Sequence, residues 1–102
     1  MGLDVYLEDE LGSELDLFID DGGILAAAMP AGDASFPMLR FVDTEGVTAF
    51  NRLQLAVVIP ELERLEAANA GMPNAKSAIG RVLKLARKAA AEPHLYLSFL
   101  GD

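Results

Sequence analysis

His94, the single histidine of the chain, is the residue type best suited to acid–base chemistry, because an imidazole typically titrates near neutral pH. Tyr96 and Ser98 follow it in an alternating segment and could share a site with it. A nucleophile and its base must be in contact, however, and strand residues four positions apart lie roughly 13 Å apart at about 3.3 Å per residue. His94 and Ser98 therefore cannot form a dyad. We interpret His94 as a structural residue bonded to backbone or to a carboxylate near the start of a strand.

A second polar group lies in the segment TAFNRLQ, where Asn51, Arg52 and Gln54 stand between Phe50 and an apolar run. Arg52 offers a fork of N–H donors that suits a carboxylate or a phosphate. Asn51 is a good helix-capping residue by type, as Thr48 also is. The favoured interpretation is the polar start of a helix, with Arg52 paired to one of the many acids of the chain.

The first 21 residues contain eight acids and no base. These acids are Asp4, Glu8, Asp9, Glu10, Glu14, Asp16, Asp20 and Asp21. Acids close to glycines suggest Ca²⁺ or Mg²⁺, but the D-x-D-x-D-G spacing of a calcium loop is absent, and so is a glycine-rich phosphate loop. We therefore predict no metal and no cofactor. We expect an exposed acidic surface that binds a partner, made by Glu8, Asp9, Glu10, Asp20 and Asp21.

A β-hairpin at the start of the chain must position these acids. Two alternating runs indicate its strands, and their apolar sets are Leu3, Val5 and Leu7 in the first and Leu15, Leu17 and Ile19 in the second. Both sets are predicted to face the core, with a turn over residues 10–13. Residues 24–29 could then form a third short strand or, with their three consecutive alanines, a short helix that Pro30 ends.

Two amphipathic helices are predicted next, over about 55–69 and 75–91. Because proline is tolerated mainly in the first turn, the first helix is expected to begin only a few residues before Pro60. Its exposed side should carry Glu61, and Asn74 should cap the second helix. That helix carries a basic stripe, which could meet the acidic hairpin or stay solvated; its members are Arg81, Lys84 and Lys88.

The last strand is predicted over residues 94–100, where apolar and polar residues alternate after Pro93. Residues 30–50 are too apolar for a linker and are predicted to be an ordered connection packed on the core. The fold class is therefore α+β. We expect one domain over residues 1–102, with two helices on one face of a small, mostly antiparallel sheet.

The composition limits the classes of protein to which this chain can belong. Its 102 residues are 52% hydrophobic and 24% charged, which is typical of a folded domain with one core. The absence of cysteine excludes disulfides and thiolate chemistry. A net charge of -8 disfavours nucleic acids and anionic membranes as partners. With no secretory signal and no apolar run near the roughly 18 residues of a membrane span, we expect a cytoplasmic protein.

Three segments, GLDVYL, TAFNRLQ and HLYLSFLGD, resemble a group of small uncharacterised bacterial proteins. That group has a GLDV-type start, an FNRLQ-type centre and an HLYLKFxGD-type end, with no known activity. The resemblance implies that residues 50–54 and 94–102 belong together in space. Ser98 stands where the resemblance leads us to expect lysine, which weakens any site there that needs a positive charge.

Three functional hypotheses follow from the sequence. The first is a non-catalytic protein-binding module of the immunity or antitoxin kind, whose acidic N-terminal surface covers a basic protein partner such as a nuclease. The second is a small enzyme or ligand-binding protein that uses His94, Arg52 and Asn51, with Asp102 as a further candidate. The third is a structural homodimer that pairs through the edge strands of the sheet.

Overall fold

The computed structural model describes residues 2–102 and places four antiparallel strands in one sheet. Met1 lies outside the described residues. The strands are β1 (Leu3–Asp9), β2 (Glu14–Phe18), β3 (Val47–Phe50) and β4 (Leu95–Gly101). Their order across the sheet is β2-β1-β4-β3, so β1 and β4 lie at the centre while β2 and β3 form the edges. The predicted α+β class is confirmed.

The three helices are α1 (Ile24–Ala28), α2 (Arg52–Ala68) and α3 (Pro73–Ala91). Asn51 and Gln54 form a capping box at the start of α2, in which each side-chain oxygen accepts the other residue's backbone N–H at 2.9 Å. In the segment TAFNRLQ, residues 48–50 therefore end β3, Asn51 is the cap, and α2 begins at Arg52. The expected start close to Pro60 was wrong, because this residue lies well inside α2.

The start of α3 and the side of α2 that carries Glu61 also differ from the prediction. Met72 is the N-cap of α3, and Pro73 occupies the first turn in place of the predicted Asn74 cap. Glu61 is 2% exposed, so its predicted exposed position was wrong. Its carboxylate accepts the backbone N–H of Leu39 at 2.9 Å, which holds the connection between α1 and β3 against α2.

Residues 24–28 of the segment 24–29 form the short helix α1, so the strand alternative was wrong. Gly22 and Gly23 turn the chain into this helix with positive φ values of 76° and 72°. The carboxylate of Asp20 accepts the backbone N–H groups of Leu25 and Ala26 at 2.8 and 2.9 Å. A side chain that satisfies the first N–H groups of a helix favours helix over strand at this point.

Strand β3 was missing from the prediction, which treated residues 30–50 as a connection. Only Phe50 of its four residues is buried, so the segment shows no alternating pattern of its own. Pairing with β4 supplies its stability, with Phe50 opposite Leu97. The Phe50 ring also meets the Phe99 ring edge-on, with 5.8 Å between the ring centroids.

The face of strand β2 that packs against the core is not the one predicted from the sequence. Phe18 is buried, whereas the exposed fractions of Leu15, Leu17 and Ile19 are 55, 41 and 52%. Val5 pairs with Phe18, and a β-bulge further along β1 and β2 adds one residue to β2. Since side chains alternate, burying the large Phe18 ring places its neighbours in β2 on the other face of the sheet.

The core lies between the sheet and the helices, and α2 and α3 cover the same sheet face. The buried β1, β4 and α3 side chains form one continuous cluster, which includes Leu3, Val5, Ile79, Leu83, Leu97 and Phe99. Within the described residues, no helix covers the opposite face of the sheet. No helix in the described part of the chain is long and apolar enough to cross a membrane.

Candidate functional site

The sheet face opposite the helices combines apolar and acidic side chains. We call it the open face; by the strand register it comprises Asp4, Tyr6, Glu8, Glu14, Leu17, Val47, Ala49, Tyr96, Ser98 and Leu100. Leu17, Val47 and Leu100 are exposed on it. Val47 and Leu100 pair across β3 and β4, and exposed apolar side chains beside polar groups suit a protein-binding surface.

Glu8 and Ser98 form the polar centre of the open face. The Ser98 hydroxyl donates a hydrogen bond to Oε1 of Glu8, across the central strands β1 and β4. Ser98 is 7% exposed, while Glu8 is only partly buried. The hydrogen bond fixes the Glu8 carboxylate at the sheet surface, where it can still accept from a partner.

Tyr6 lies among the carboxylates of the open face. Burial raises its pKa, and the negative charges of Asp4, Glu14 and Glu8 raise it further. The three carboxylates make the potential around the Tyr6 hydroxyl negative. The neutral phenol therefore remains a hydrogen-bond donor on a surface of acceptors.

The five acids predicted to form one binding surface have different surroundings. Glu8 belongs to the open face, Glu10 is exposed at the hairpin end, and Asp21 is exposed where the chain turns into α1. Asp9 shapes the hairpin turn, because its Oδ1 accepts two backbone N–H groups of residues 11 and 13 at 2.9 Å. Asp20 is 5% exposed, so its predicted place in an exposed acidic surface was wrong.

The Asp20 carboxylate is occupied inside the protein. It accepts the Leu3 N–H at 2.9 Å in addition to the two N–H groups at the start of α1. Its own N–H donates to Oδ1 of Asp4 at 2.9 Å. Asp20 thus joins β1 to α1. The other N-terminal acids supply the negative charge of the surface.

The second candidate cluster surrounds a surface depression of about 180 Å³, lined by Asn51, Arg52, Leu53, His94, Leu95 and Tyr96. The structure therefore brings the start of α2 next to the start of β4. Asn51 is used by the capping box, and Arg52 is exposed. The His94 side chain is 69% exposed, and its Nδ1 lies 3.2 Å from Oε2 of Glu10. Asp102 does not line this depression. Its backbone N–H donates a hydrogen bond to the carbonyl of Gly2 at 3.3 Å.

The cluster offers hydrogen-bonding groups that are open to water, namely the imidazole of His94 and the guanidinium of Arg52. The Glu10 carboxylate lies beside His94, and the structural role of this histidine stays a prediction. Within residues 2–102, no group of three or more His, Asp or Glu side chains could hold a metal ion.

No protein-family model, no curated protein and no solved structure matches this chain.

Leu17, Tyr6 and Leu100 were not predicted from the sequence to be candidate binding residues. Leu17 was predicted to lie in the core, because the alternation of β2 defines two sets of side chains but does not show which set is buried. Tyr6 and Leu100 were ordinary members of alternating strands. One signal was present in the sequence: Phe18 is the largest apolar residue of β2, and its burial forces the adjacent leucine outward.

Proposed function

We propose that this protein is a non-catalytic binding module, of the immunity or antitoxin kind, that covers a basic protein partner with the open face of its sheet. One observation carries the proposal: Leu17 and Leu100 are exposed on the same sheet face as the carboxylates of Glu8 and Glu14. The apolar side chains supply area that a partner can remove from water, and the acids select the sign of its charge.

The charge of the open face favours a basic partner over a second copy of this chain. Its ionisable side chains with a formal charge at neutral pH are all acids, namely Asp4, Glu8 and Glu14. The net charge of the whole chain, -8, has the same sign. A basic partner is attracted from a distance, which raises the association rate at low salt, whereas two open faces repel each other.

Paired variants test this proposal. Glu8→Gln with Glu14→Gln removes charge from the open face, and Leu17→Ser removes apolar area there. Glu63→Gln is the matched charge control, because Glu63 is exposed on α2 and, among residues 2–102, pairs only with Arg87, at 2.9 Å. All variants are compared as bait for basic proteins from a bacterial lysate, and the retained protein is then purified for titration at two salt concentrations.

We expect the wild type and Glu63→Gln to retain the same basic protein from the lysate. The charge variant should bind it more weakly and with a smaller dependence on salt, and Leu17→Ser should lower the affinity at both salt concentrations. Binding that is equal in all four proteins contradicts an open-face interface.

The enzyme alternative rests on the depression shared by His94 and Arg52, and it has less support. Neither side chain is withdrawn from water, and Asn51 already accepts the Gln54 N–H. The homodimer alternative has the exposed edges of β2 and β3 in its favour. Light scattering distinguishes it, because a dimer at micromolar concentration would require an interface other than the like-charged open faces.

A further inference from the structure

A basic groove lies between the edge strand β2 and α3. It has a volume of about 400 Å³ and runs between residues 16–18 of β2 and the α3 side chains Arg81, Lys84, Arg87 and Lys88. Because β2 is an edge strand, this groove borders the backbone edge that no strand of the described chain covers. Backbone groups and cations therefore line the same space.

The charge of this groove is the reverse of that of the whole protein. Four cations line it together with one acid, Asp16, in a chain whose net charge is -8. Lys88 pairs with Asp16 and Arg87 with Glu63. Arg81 packs its guanidinium over the Phe18 ring, 4.9 Å from the centroid, and within residues 2–102 neither Arg81 nor Lys84 forms an ion pair. Two cations in the groove are thus available to an anion.

Asp16 shows how the groove holds a carboxylate. Its Oδ1 accepts the backbone N–H of Leu17 at 2.8 Å, and its Oδ2 accepts from Nζ of Lys88 at 2.9 Å. The Leu17 N–H is therefore directed to the carboxylate in the groove and away from pairing with β1. An acidic side chain bound between an edge-strand amide and an ammonium group is already present within the fold.

We propose that this groove binds an extended acidic segment of a partner polypeptide, which lies along the free edge of β2 and places its carboxylates on Arg81 and Lys84. Addition of a strand to an exposed edge is a recurrent mode of peptide binding, in which the backbone supplies affinity and the side chains supply specificity. The five residues of β2 present about 17 Å of edge at about 3.4 Å per residue.

A peptide fits this site better than a nucleic acid does. The net charge of -8 repels a polyanion, whose binding depends on many cations that release counterions along its backbone. The groove offers few cations over one short strand. The amides along the edge of β2 form hydrogen bonds at a spacing that another polypeptide backbone matches and a nucleic acid does not. Asp16 competes for the same donors, so it lowers the affinity for the segment.

Titration of the isotope-labelled protein with a short peptide of alternating glutamate and valine tests the proposal. We expect the peptide to shift the amide signals of β2 and of residues 81–88 in α3. Arg81→Gln with Lys84→Gln should weaken binding at least about tenfold, because two charge-assisted contacts are lost. Lys76→Gln, an exposed change elsewhere on α3, should leave the affinity unchanged. Asp16→Asn should strengthen binding, because a competing carboxylate is removed.

Three results would overturn the proposal. They are amide shifts that avoid β2, equal binding of a peptide with lysine in place of glutamate, and equal or tighter binding in the groove of inorganic phosphate or a single-stranded oligonucleotide. The test is independent of the proposed function, since Glu8→Gln alters the open face on β1, away from the free edge of β2, and should bind the acidic peptide as the wild type does. Thermal melting of each variant confirms that it is folded.

Discussion

The carboxylate of Glu61, inside α2, accepts the backbone N–H of Leu39 at 2.9 Å and that of Met38 at 3.1 Å. This contact attaches the connection between α1 and β3 to the helical layer. Because Glu61 is 2% exposed, the N–H groups that it satisfies would find little water in its absence.

Glu61→Ala should therefore lower the free energy of unfolding by about 2–4 kcal/mol, since it leaves buried donors without an acceptor and opens a small cavity. Urea denaturation measures the loss. Glu63→Ala, two residues away on the exposed side of α2, should change the free energy of unfolding by less than about 1 kcal/mol. Equal losses in the two variants would show that the Glu61 contact contributes little.

Asp20→Ala should lower the free energy of unfolding by about 2–3 kcal/mol, because the Leu3, Leu25 and Ala26 N–H groups lose their shared acceptor. Chemical denaturation gives the value. Asp21→Ala is the matched control, an exposed acid for which a change within about 0.5 kcal/mol is expected. A stable Asp20→Ala protein with reduced partner binding would return Asp20 to the binding surface predicted from the sequence.

The two buried carboxylates, Asp20 and Glu61, show which features of the structure could be predicted from the sequence and which could not. The alternation of β1 and β4 and the 3.6-residue period of α2 and α3 come from neighbouring residues, and they gave the α+β class and most of its elements. Asp20 and Glu61 are acids, and acids lie at the surface by default. Their burial depends on backbone N–H groups that only the folded chain brings close, so no local pattern could reveal it.

Strand β3 and the face of β2 escaped prediction for a related reason. β3 is short and gains its structure from β4, and the inward set of β2 follows from pairing with β1. For the candidate site, the acids Glu8 and Glu10 could be placed near the surface from the sequence, whereas the apolar half of the open face could not. The capping role of Asn51 was accessible because it depends on a residue three positions away.

Tyr6 should make the stability of the protein fall at alkaline pH. Its pKa is raised in the folded protein by burial and by nearby carboxylates, so above about pH 10, the ordinary tyrosine pKa, the unfolded chain loses this proton before the folded chain does. The contribution of Tyr6 to the free energy of unfolding is therefore fully present below that pH, and it is lost as the pH rises through the folded-state pKa.

Ultraviolet absorbance of tyrosinate, followed during a pH titration, should show Tyr6→Phe to lack a transition above pH 10 that the wild type has. Urea denaturation at increasing alkaline pH should then show a shallower loss of stability in Tyr6→Phe than in Tyr96→Phe. A difference between the wild-type and Tyr6→Phe titrations that is centred at the ordinary tyrosine value contradicts the raised pKa of Tyr6.

The orientation of β2 is tested most directly by its two adjacent side chains, Leu17 and Phe18. Phe18→Ala should lower the free energy of unfolding by about 3–4 kcal/mol, because a buried ring that packs on the core and under Arg81 is lost. Leu17→Ala should cost less than about 1 kcal/mol, since that side chain is already 41% exposed. Urea denaturation of the pair decides between the two faces. The reverse order of losses would return Leu17 to the core and remove the apolar part of the open face, and with it the observation on which the proposed binding function depends.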